Sequence, residues 1–488
     1  MKRNNHRILG VVFCLLSAGA AFAQGGQPFI HDPSTIVKCD GKYYTFGTGS
    51  GGLISEDGWN WYGGAVRPGG GAAPDAMKIG DRYLVAYSTT GGGLGGGHAS
   101  AIITMWNKTL DPNSPDFAYS EPMEVASSLV DEDCNAIDAG LMLDPTTGRL
   151  WCVYGTYFGY IRIVELDPET GMRMPGNIAI DVARNCEAAT MMYRDGWYYL
   201  LGTHGTCCDG SNSTYNIVVG RSRNVTGPFI DNVGRSMLQG GGKSVITTEG
   251  RLVGPGHFGR YIEEEGVEKM SFHWEADMDQ SGRSVLAIRP LVWKNGWPEA
   301  GEAFASGTYE IKSERSGYAL ELATDFVRLP SGNRGMFSGN NDQPHVRMEE
   351  QKLADVIDTW SEGTIEVRNG YYMARPNQRW SIVPVPEAGG YLGGQYYKIT
   401  IEGTERALAA NADAQVEAVA AFTGADEQLW RIEQLTDGTY RIMPKAVPGH
   451  REPLALVSLG DSSPTLVPFD FNSDNSKWSF KHFSHIVK

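Results

Sequence analysis

Short runs of apolar residues, bounded by glycine-containing turns, repeat along the first part of the chain. Each run follows a turn, is aromatic or aliphatic, and ends in small or polar residues: GKYYTFGTG (41–49), DRYLVAYST (81–89), GRLWCVYGT (148–156), GWYYLLGTH (196–204) and EKMSFHWEA (268–276). Separations of roughly 40 to 70 residues fit propeller blades of four strands with loops of variable length. The pattern therefore predicts an all-β protein that begins with a five-bladed β-propeller, with a generic β-sandwich as the alternative.

A polar residue lies in or beside the short strand that precedes each aromatic strand: Asp32, Asp75, Asp138, Glu187 and His257. Burying a carboxylate without partners is costly. In a propeller, however, the innermost strand of every blade lines the central channel. We therefore expect these five side chains to converge on one polar funnel.

A second repeat occupies the last part of the chain. Its units share a strand, a turn and a short apolar segment: TYEIKSERSGYALEL (308–322), YYKITIEGTERALAA (396–410) and TYRIMPKAVPGHREPLAL (439–456). Each unit is followed by a tryptophan, namely Trp380, Trp430 or Trp478. The spacing, about 50 residues, predicts a β-trefoil-like domain with one tryptophan per lobe in the core. A polar insertion around 325–368 lengthens the first lobe.

These patterns divide the chain into three parts. Residues 1–23 are interpreted as a signal peptide, because a basic start precedes an apolar run and a small-x-small cleavage site. The propeller is assigned to residues 24–303 and the trefoil to residues 304–488, with a boundary in the Pro- and Gly-containing segment 295–307. The glycine-rich segment 91–100 is expected to form a loop near the second blade. We expect an exported protein, periplasmic or extracellular.

The net charge narrows the classes of binding partner, and the cysteine content bears on disulfide bonds. The formal net charge is −15 at pH 7, which argues against nucleic acid or an anionic membrane and is compatible with neutral polysaccharides. No later stretch reaches the roughly 18 apolar residues of a membrane helix. Six cysteines remain after cleavage, all within the propeller: Cys39, Cys134, Cys152, Cys186, Cys207 and Cys208. An oxidising compartment permits disulfides whose pairing sequence leaves open, and buried free thiols are the alternative. A monomer is expected.

Carboxyl groups around a funnel suggest glycoside hydrolysis. In that reaction a protonated acid donates to the leaving oxygen and an ionised carboxylate activates water. A third charge raises the pKa of the acid, so that it keeps its proton near neutral pH. Asp32, Asp138 and Glu187 can supply such a trio.

The residues HDPSTIV, NAIDAGLMLD, GPGH and IRPLVWKNGWP, with the run from Glu187 to Phe229 that contains CCDGSNSTY, resemble glycoside hydrolase family 43, and its endo-1,5-α-L-arabinanase branch in particular. The similarity covers about residues 28–300 and implies a five-bladed propeller. The C-terminal part resembles ricin-type lectin modules, with Gln-x-Trp in two lobes and Ser-Lys-Trp in the third. That resemblance leaves open whether the trefoil binds glycan or braces the propeller.

The resemblance implies a role for each site residue. Asp32 would be the general base, Glu187 the general acid and Asp138 the residue that orients the acid and adjusts its pKa. Inversion implies a base-to-acid separation of roughly 6.5–9.5 Å. His257 would lie beside a central metal, typically calcium, held largely through water; a channel histidine without metal is the alternative.

Four further residues are predicted to contact substrate: Asp75, Asn135, Phe158 and Ser213. For Asp75 a structural role is the alternative, and for Phe158 a stacking role on a sugar ring and a role as loop anchor stay open. The expected substrate is α-1,5-linked L-arabinan or a related arabinose- or xylose-containing polysaccharide or oligosaccharide. An exo-acting α-L-arabinofuranosidase or β-xylosidase, and a catalytically silent glycan-binding protein, are the alternatives.

Overall fold

The computed structural model describes residues 24–90, 99–264, 266–324, 328–330, 348–350, 353–459 and 464–483. The predicted signal peptide, most of the glycine-rich segment 91–100 and much of the insertion at 325–368 lie outside this set. Within it, the protein consists of β-strands, short 3-10 turns and one four-residue α-helix, Leu353–Val356. None of the helices among the described residues has the length and apolar character needed to cross a membrane.

Five sheets, antiparallel except for the pairing of β1, follow one another along the first part of the chain, as the repeat predicted. Their strands, in blade order, are β1 (Gly25–Gly26), β2 (Val37–Cys39), β3 (Lys42–Phe46), β4 (Gly51–Ser55) and β5 (Asn60–Val66); β6 (Ala72–Ile79), β7 (Arg82–Thr90), β8 (Ser100–Asn107) and β9 (Met123–Ser128); β10 (Gly140–Leu143), β11 (Leu150–Tyr154), β12 (Tyr160–Leu166) and β13 (Ile180–Arg184); β14 (Glu187–Arg194), β15 (Trp197–His204), β16 (Asn216–Ser222) and β17 (Lys243–Ile246); β18 (Leu252–Glu264), β19 (Val267–Asp277), β20 (Arg283–Lys294) and β21 (Trp297–Ala300).

With blade 1 counted from β2, the aromatic repeats form the second strand of each blade, namely β3, β7, β11, β15 and β19. Their side chains pack between neighbouring sheets, where Tyr44, Leu84, Cys152, Leu200 and Phe272 are buried. The first strands of neighbouring blades contact one another around the axis. The predicted five-bladed propeller is therefore confirmed.

The N-terminal segment closes the ring between the first and last blades. Strand β1 adds in parallel to β5 of blade 1, while Phe29 bridges to Val285 of blade 5. The Leu286 N–H also donates to the Pro28 carbonyl at 2.7 Å. The segment thus joins the first and last blades.

The C-terminal domain is built around a closed ring of six strands: β22 (Gly307–Ser313), β27 (Trp380–Pro384), β30 (Tyr397–Ile401), β33 (Trp430–Gln434), β34 (Tyr440–Pro444) and β37 (Trp478–His482). The other strands are β23 (Ala319–Leu322), β24 (Arg328–Pro330), β25 (Met348–Glu350), β26 (Ile365–Gly370), β28 (Gly390–Tyr391), β29 (Gly394–Gln395), β31 (Ala407–Ala410), β32 (Val416–Val419), β35 (Ala455–Val457) and β36 (Thr465–Val467).

The three tryptophans have equivalent positions in this domain. Each follows a 3-10 turn and begins a ring strand, and all three are fully buried in the shared core. The indole N–H of Trp380 donates to Leu320 O at 2.8 Å, and Trp430 and Trp478 donate to the corresponding carbonyls of Leu408 and Leu456. The predicted trefoil with one tryptophan per lobe is confirmed.

The trefoil packs against the seam of the propeller. Leu392, between β28 and β29, is buried beside Ile30 of the N-terminal segment and Leu286 of blade 5. Below it, the Lys269 ammonium donates to the Leu392 carbonyl and pairs with Glu433 of the trefoil at 3.2 Å. The hairpin formed by β28 and β29 thus covers the place where the first and last blades meet.

Candidate active site

The first strands bring Asp32, Asp138, Glu187 and His257 to one pit at the propeller axis. Near the start of these strands the non-glycine residues Asp32, Ala73, Asp138, Ala188 and His257 all have positive φ, between 43° and 60°. This backbone conformation is uncommon for residues with a Cβ and persists where surrounding contacts enforce it. Its recurrence in all five blades turns the side chains of Asp32, Asp138 and His257 out of the regular strand alternation.

Asp32 is surrounded by hydrogen-bond donors. One oxygen, Oδ2, accepts from the Thr48 hydroxyl and from His31 Nδ1 at 2.8 Å, and the other lies 3.6 Å from His257 Nδ1. Burial opposes ionisation, but the nearby histidines outweigh it and hold the pKa of Asp32 well below its usual value. Asp32 is therefore a carboxylate over the working pH range.

Asp138 and Glu187 form a second, protonated group of carboxyls. Asp138 Oδ2 accepts the N–H of Ala188, the residue next to Glu187, at 3.0 Å, and Glu187 Oε1 accepts the Tyr215 hydroxyl. Burial and neighbouring carboxylates raise the pKa of Glu187 to about 7 and that of Asp138 well above its usual value. Because two buried carboxyls side by side cannot both ionise easily, the pair retains a proton near neutral pH.

His31 connects Asp32 to a further carboxylate, Glu275. Its Nε2 lies 3.0 Å from Glu275 Oε1 while its Nδ1 meets Asp32, so both ring nitrogens face carboxylate oxygens. Carboxylates only accept hydrogen bonds, which requires both nitrogens to donate and the ring to be cationic. Although burial disfavours the cation, Asp32 and Glu275 raise the pKa of His31 to about 11.

His273 is the neutral counterpart of His31. Its Nδ1 accepts the backbone N–H of Asp32 at 3.2 Å, so that nitrogen carries no proton. The other nitrogen faces Glu275 Oε1 at 3.5 Å, and the two imidazole rings lie 4.3 Å apart. Burial and the positive charge of His31 lower the pKa of His273. The unprotonated Nδ1 of His273 thus holds the backbone of Asp32 in place.

A bond between adjacent cysteines borders this network. Cys207 and Cys208 form a disulfide, and the N–H of Cys208 donates to Glu275 Oε1 at 3.2 Å. Cys39, Cys134, Cys152 and Cys186 are buried free thiols. A disulfide and buried free thiols, the two alternatives that the sequence left open, therefore both occur in the propeller.

His257 is the residue to test for a metal. It is buried, and its Nδ1 has no partner within hydrogen-bond distance among the described residues. Burial lowers its pKa, but Asp32, Asp138 and Asp75 raise it by more, which marks the surroundings as negative. A buried imidazole beside Asp32, in a pit with a negative potential, fits a hydrated cation held through bridging water, since calcium takes oxygen ligands.

Asp75 binds backbone groups of neighbouring blades. It is 3% exposed, and its oxygens accept backbone N–H groups from two other blades, Thr35 at 2.9 Å and Leu141 at 2.8 Å. A carboxylate with both oxygens bound in this way ties blades together below the pit. These bonds favour the structural alternative over the predicted contact with substrate.

Asn135 and Ser213 also make hydrogen bonds within the protein. Asn135 is 1% exposed and makes three hydrogen bonds to Thr156, which join two loops of blade 3. Ser213 is buried, donates to the Thr206 carbonyl and accepts from the N–H of Tyr215, so it shapes the loop that presents Tyr215. Both positions lie near the pit, but their polar atoms are used within the protein.

Phe158 lies behind its neighbour Tyr157. The two rings stack with centroids 4.8 Å apart, and Tyr157 is 41% exposed. The charges of Glu187 and Asp138 add to burial in raising the pKa of the Tyr157 hydroxyl, which places this ring beside the acid pair. Tyr157 is thus the surface aromatic at the position where Phe158 was predicted to stack on a sugar.

The sequence contained signals for some of the residues that were missed. His31 directly precedes Asp32, and Tyr215 belongs to the quoted Ser-Thr-Tyr motif. His273 and Glu275 alternate along β19 and so share one face of the strand. Their approach to His31, more than 240 positions earlier, depends on the closure of the ring.

A five-bladed propeller whose central pit holds an ionised carboxylate and a protonated carboxyl pair defines a glycoside hydrolase. Comparison with known proteins agrees with this class. The model for glycosyl hydrolases family 43 matches residues 52–298, just over half of the chain, and the chain belongs to this family. A model described as ricin-type beta-trefoil lectin domain-like matches residues 376–450.

Two characterised relatives illustrate the range within the family. An extracellular endo-alpha-(1→5)-L-arabinanase of Bacillus subtilis is 30% identical over 59% of this chain and 93% of its own length. An extracellular exo-alpha-(1→5)-L-arabinofuranosidase of Cellvibrio japonicus is also 30% identical, over 61% of this chain and 93% of its own length.

Solved structures of arabinanases are also similar to this chain. An endo-arabinanase from Bacillus licheniformis aligns with a TM-score of 0.51 at 30% identity, covering 57% of this chain and 100% of that chain. An exo-1,5-alpha-L-arabinanase from a bovine ruminal metagenomic library aligns with a TM-score of 0.51 at 30% identity, covering 56% and 97%. These similarities concern the propeller.

Proposed function

We propose that this protein is an exported, inverting glycoside hydrolase that cleaves α-1,5-linked L-arabinan or a related arabinose- or xylose-containing polysaccharide. One observation carries the proposal: Asp32 is held ionised by His31 in the same pit in which Glu187 retains a proton. An ionised carboxylate and a protonated one are the two groups that hydrolysis of a glycosidic bond with inversion requires.

In this mechanism Asp32 accepts a proton from water as the water attacks the anomeric carbon. The hydrogen bonds from Thr48 and His31 to Oδ2 leave Oδ1 as the oxygen for that proton. Glu187 gives its proton to the leaving oxygen, and Tyr215, which donates to Glu187 Oε1, leaves Oε2 as the oxygen that carries it. Both groups are positioned before substrate binds, which lowers the cost of reaching the transition state.

Asp138 acts on Glu187 through proximity. Its Oδ2 is fixed by the Ala188 N–H, and its charge cannot develop without disfavouring that of Glu187. The pair therefore holds its proton to higher pH than an isolated carboxyl would, and returns to that state after each turnover.

A calcium ion near His257 belongs to the same proposal. His257 and bridging water would hold it beside Asp32, and the ion would supply positive charge that favours the ionised form of that carboxylate.

Two observations support the proposed export. The N-terminal 23 residues have the pattern of a signal peptide, and the relatives from Bacillus subtilis and Cellvibrio japonicus are named extracellular. Exo action is the second candidate for the mode of cleavage, because relatives named as endo- and exo-acting enzymes match over equal shares of their length.

The test is incubation of the purified protein with linear arabinan, branched arabinan, xylan and aryl glycosides. Oligomers from linear arabinan support endo action, and monosaccharide alone supports exo action. Glu187→Ala should abolish product, whereas Glu121→Ala, at an exposed glutamate outside the pit, should behave as the wild type. Proton NMR of the first product should show the inverted anomer. Binding without products, unchanged by Glu187→Ala, would instead indicate a lectin-like protein.

A further inference from the structure

Gln24 becomes the first residue of the chain when the predicted signal peptide is removed after Ala23. Chain termini are usually exposed and poorly ordered unless a local interaction holds them. Gln24, however, is 6% exposed. The residue after it is fixed, because strand β1 pairs with β5 and the N–H of Gly25 donates to the Trp59 carbonyl at 3.0 Å. The new N-terminus is therefore held against the first blade.

The glycine that follows Gln24 allows a close approach on one side, and the trefoil covers the other. A side chain at Gly25 would collide with Asn60 of β5. Gly390 of the β28–β29 hairpin packs directly against Trp59, the residue whose carbonyl binds Gly25. Gln24 thus lies where the first blade meets the trefoil.

Gln24 lines a cavity of about 100 Å³ between the two domains. Its side-chain carbonyl oxygen, Oε1, is buried and has no hydrogen-bond partner among the described residues. Lys269 and Arg431, which both pair with Glu433, also line the cavity. Burial, together with the nearby arginines, lowers the pKa of Lys269 despite its pairing with Glu433. The cavity therefore disfavours a further positive charge.

Removal of the signal peptide adds such a charge. A free α-amine is largely protonated at neutral pH, and burying an ammonium group without a carboxylate partner is costly. Glu433 already pairs with three basic side chains. Glu302, the other acidic residue of the lining, is exposed and accepts the Tyr440 hydroxyl at 3.4 Å. An N-terminal glutamine can remove the charge itself, because its side-chain amide carbon lies within reach of its own α-amine.

Resting on the proposed export, we propose that Gln24 is a modification site and that the mature chain begins with pyroglutamate, which closes the cavity between the propeller and the trefoil. The α-amine nitrogen of Gln24 attacks the side-chain amide carbon. A bond forms between these two atoms, the bond to the amide nitrogen breaks, and ammonia leaves with a proton from the α-amine. The product is a neutral lactam that keeps the carbonyl oxygen and has a single N–H in place of the ammonium group. It also leaves no free α-amine for an aminopeptidase.

The test uses the full-length protein, exported through its own residues 1–23. The protein is denatured, its free amines are methylated with formaldehyde and cyanoborohydride, and only then is it digested for mass spectrometry, so that no cyclisation occurs during the digest. We expect an N-terminal peptide without label on residue 24 and lighter by one ammonia. A labelled α-amine on Gln24 would overturn the inference and leave the export intact. A chain that begins at another residue would overturn the predicted cleavage site and the inference together.

Burial of the lactam is tested with pyroglutamyl aminopeptidase, which removes an accessible N-terminal lactam. We expect release from the native protein to be slower than from the unfolded protein by about tenfold or more, because the enzyme must wait for local opening of β1. Equal rates would contradict the position of the lactam between the domains.

Gln24→Met separates the lactam from the bulk of the side chain. Methionine is similar in length but has no amide carbon, so this variant keeps its ammonium group. The matched control is Gln27→Met, at an exposed glutamine of the same segment. Gln24→Met should lower the midpoint of thermal unfolding by about 2–4 °C. An unchanged midpoint would refute the closing role of the lactam. Arabinan hydrolysis should stay within about twofold of the wild type, and its absence in the wild type would refute the proposed hydrolase without touching the modification.

Discussion

His31 lies between Asp32 and Glu275, and its charge compensates both carboxylates. The backbone reason is local, since His31 and Asp32 are adjacent and Asp32 has a left-handed conformation that turns its side chain back toward the preceding imidazole. The second carboxylate, Glu275, comes from blade 5, which is last in the sequence but adjoins blade 1 in the ring. At the scale of single residues, the properties of the site therefore depend on which groups carry protons.

We expect His31→Gln to lower kcat by about tenfold or more while changing KM little, because the amide cannot supply the charge that holds Asp32 ready for proton transfer. Steady-state kinetics on arabinan at neutral pH measure the effect. His450→Gln, at an exposed histidine of the trefoil, is the matched control. Unchanged kcat in His31→Gln would contradict the role given to this histidine.

Asp138→Asn should move the alkaline limb of the kcat/KM profile to lower pH. Glu187 works as an acid only while protonated, which holds below its pKa of about 7. The substitution removes the carboxyl that shares the proton, so the pKa of Glu187 would fall and activity would be lost earlier as pH rises. A profile identical to the wild type would refute the assigned role, and circular dichroism shows whether the fold is kept.

At the scale of elements, the first strands are held together by side chains that reach between blades. Asp75 is the best example, because one carboxylate accepts backbone N–H groups from blades 1 and 3. The Thr190 hydroxyl similarly donates to the Phe258 carbonyl across blades 4 and 5. Such bonds align inner strands that share no sheet.

Asp75→Asn should cost about 1–3 kcal/mol of stability, since the amide NH₂ must face a buried backbone donor. Chemical denaturation of the isolated variant measures it. The structural role of Asp75 also predicts an unchanged KM for arabinan. A raised KM with normal stability would restore the substrate-binding role first predicted for Asp75.

At the scale of the whole molecule, the trefoil braces the propeller at its seam. Lys269 of blade 5 meets Glu433 of the trefoil, and Glu433 also pairs with Arg431 and Arg441. All four side chains are at least nine-tenths buried. Three buried basic side chains, one of them from the propeller, thus share one carboxylate.

We expect Glu433→Gln to destabilise the protein by about 3–5 kcal/mol, because the buried cations lose the carboxylate that they share. Unfolding followed by tryptophan fluorescence should show the change, and the double variant with Lys269→Met should be less destabilised than the two single effects added. Additive effects would mean that this contact does not couple the two domains.

Periodicity and spacing were sufficient to predict both folds. Aromatic strands after turns repeat in every blade, and the tryptophans mark equivalent positions in the three lobes, because each repeat must bury the same kind of face. Single strands were harder: β1 has two residues and no apolar pattern, yet it and Phe29 close the ring. Closure depends on partners far along the chain, which local pattern does not encode.

The acids could be located from sequence, but their protonation could not. Motifs around Asp32, Asp138 and Glu187 indicated carboxyl groups at the ends of inner strands, and the residue types limited the chemistry to acid and base. Which carboxyl is ionised depends on burial and on neighbours such as His31, Glu275 and Tyr215, whose distances exist only in the folded ring. The same limit explains why Asp75, Asn135 and Ser213, polar and near the pit, were assigned to substrate although the fold uses their hydrogen bonds internally. By itself the sequence determined the architecture and the set of reactive groups, because both follow from residue type and spacing; the tertiary structure decided the charge of each group, because electrostatic interaction depends on distance and burial.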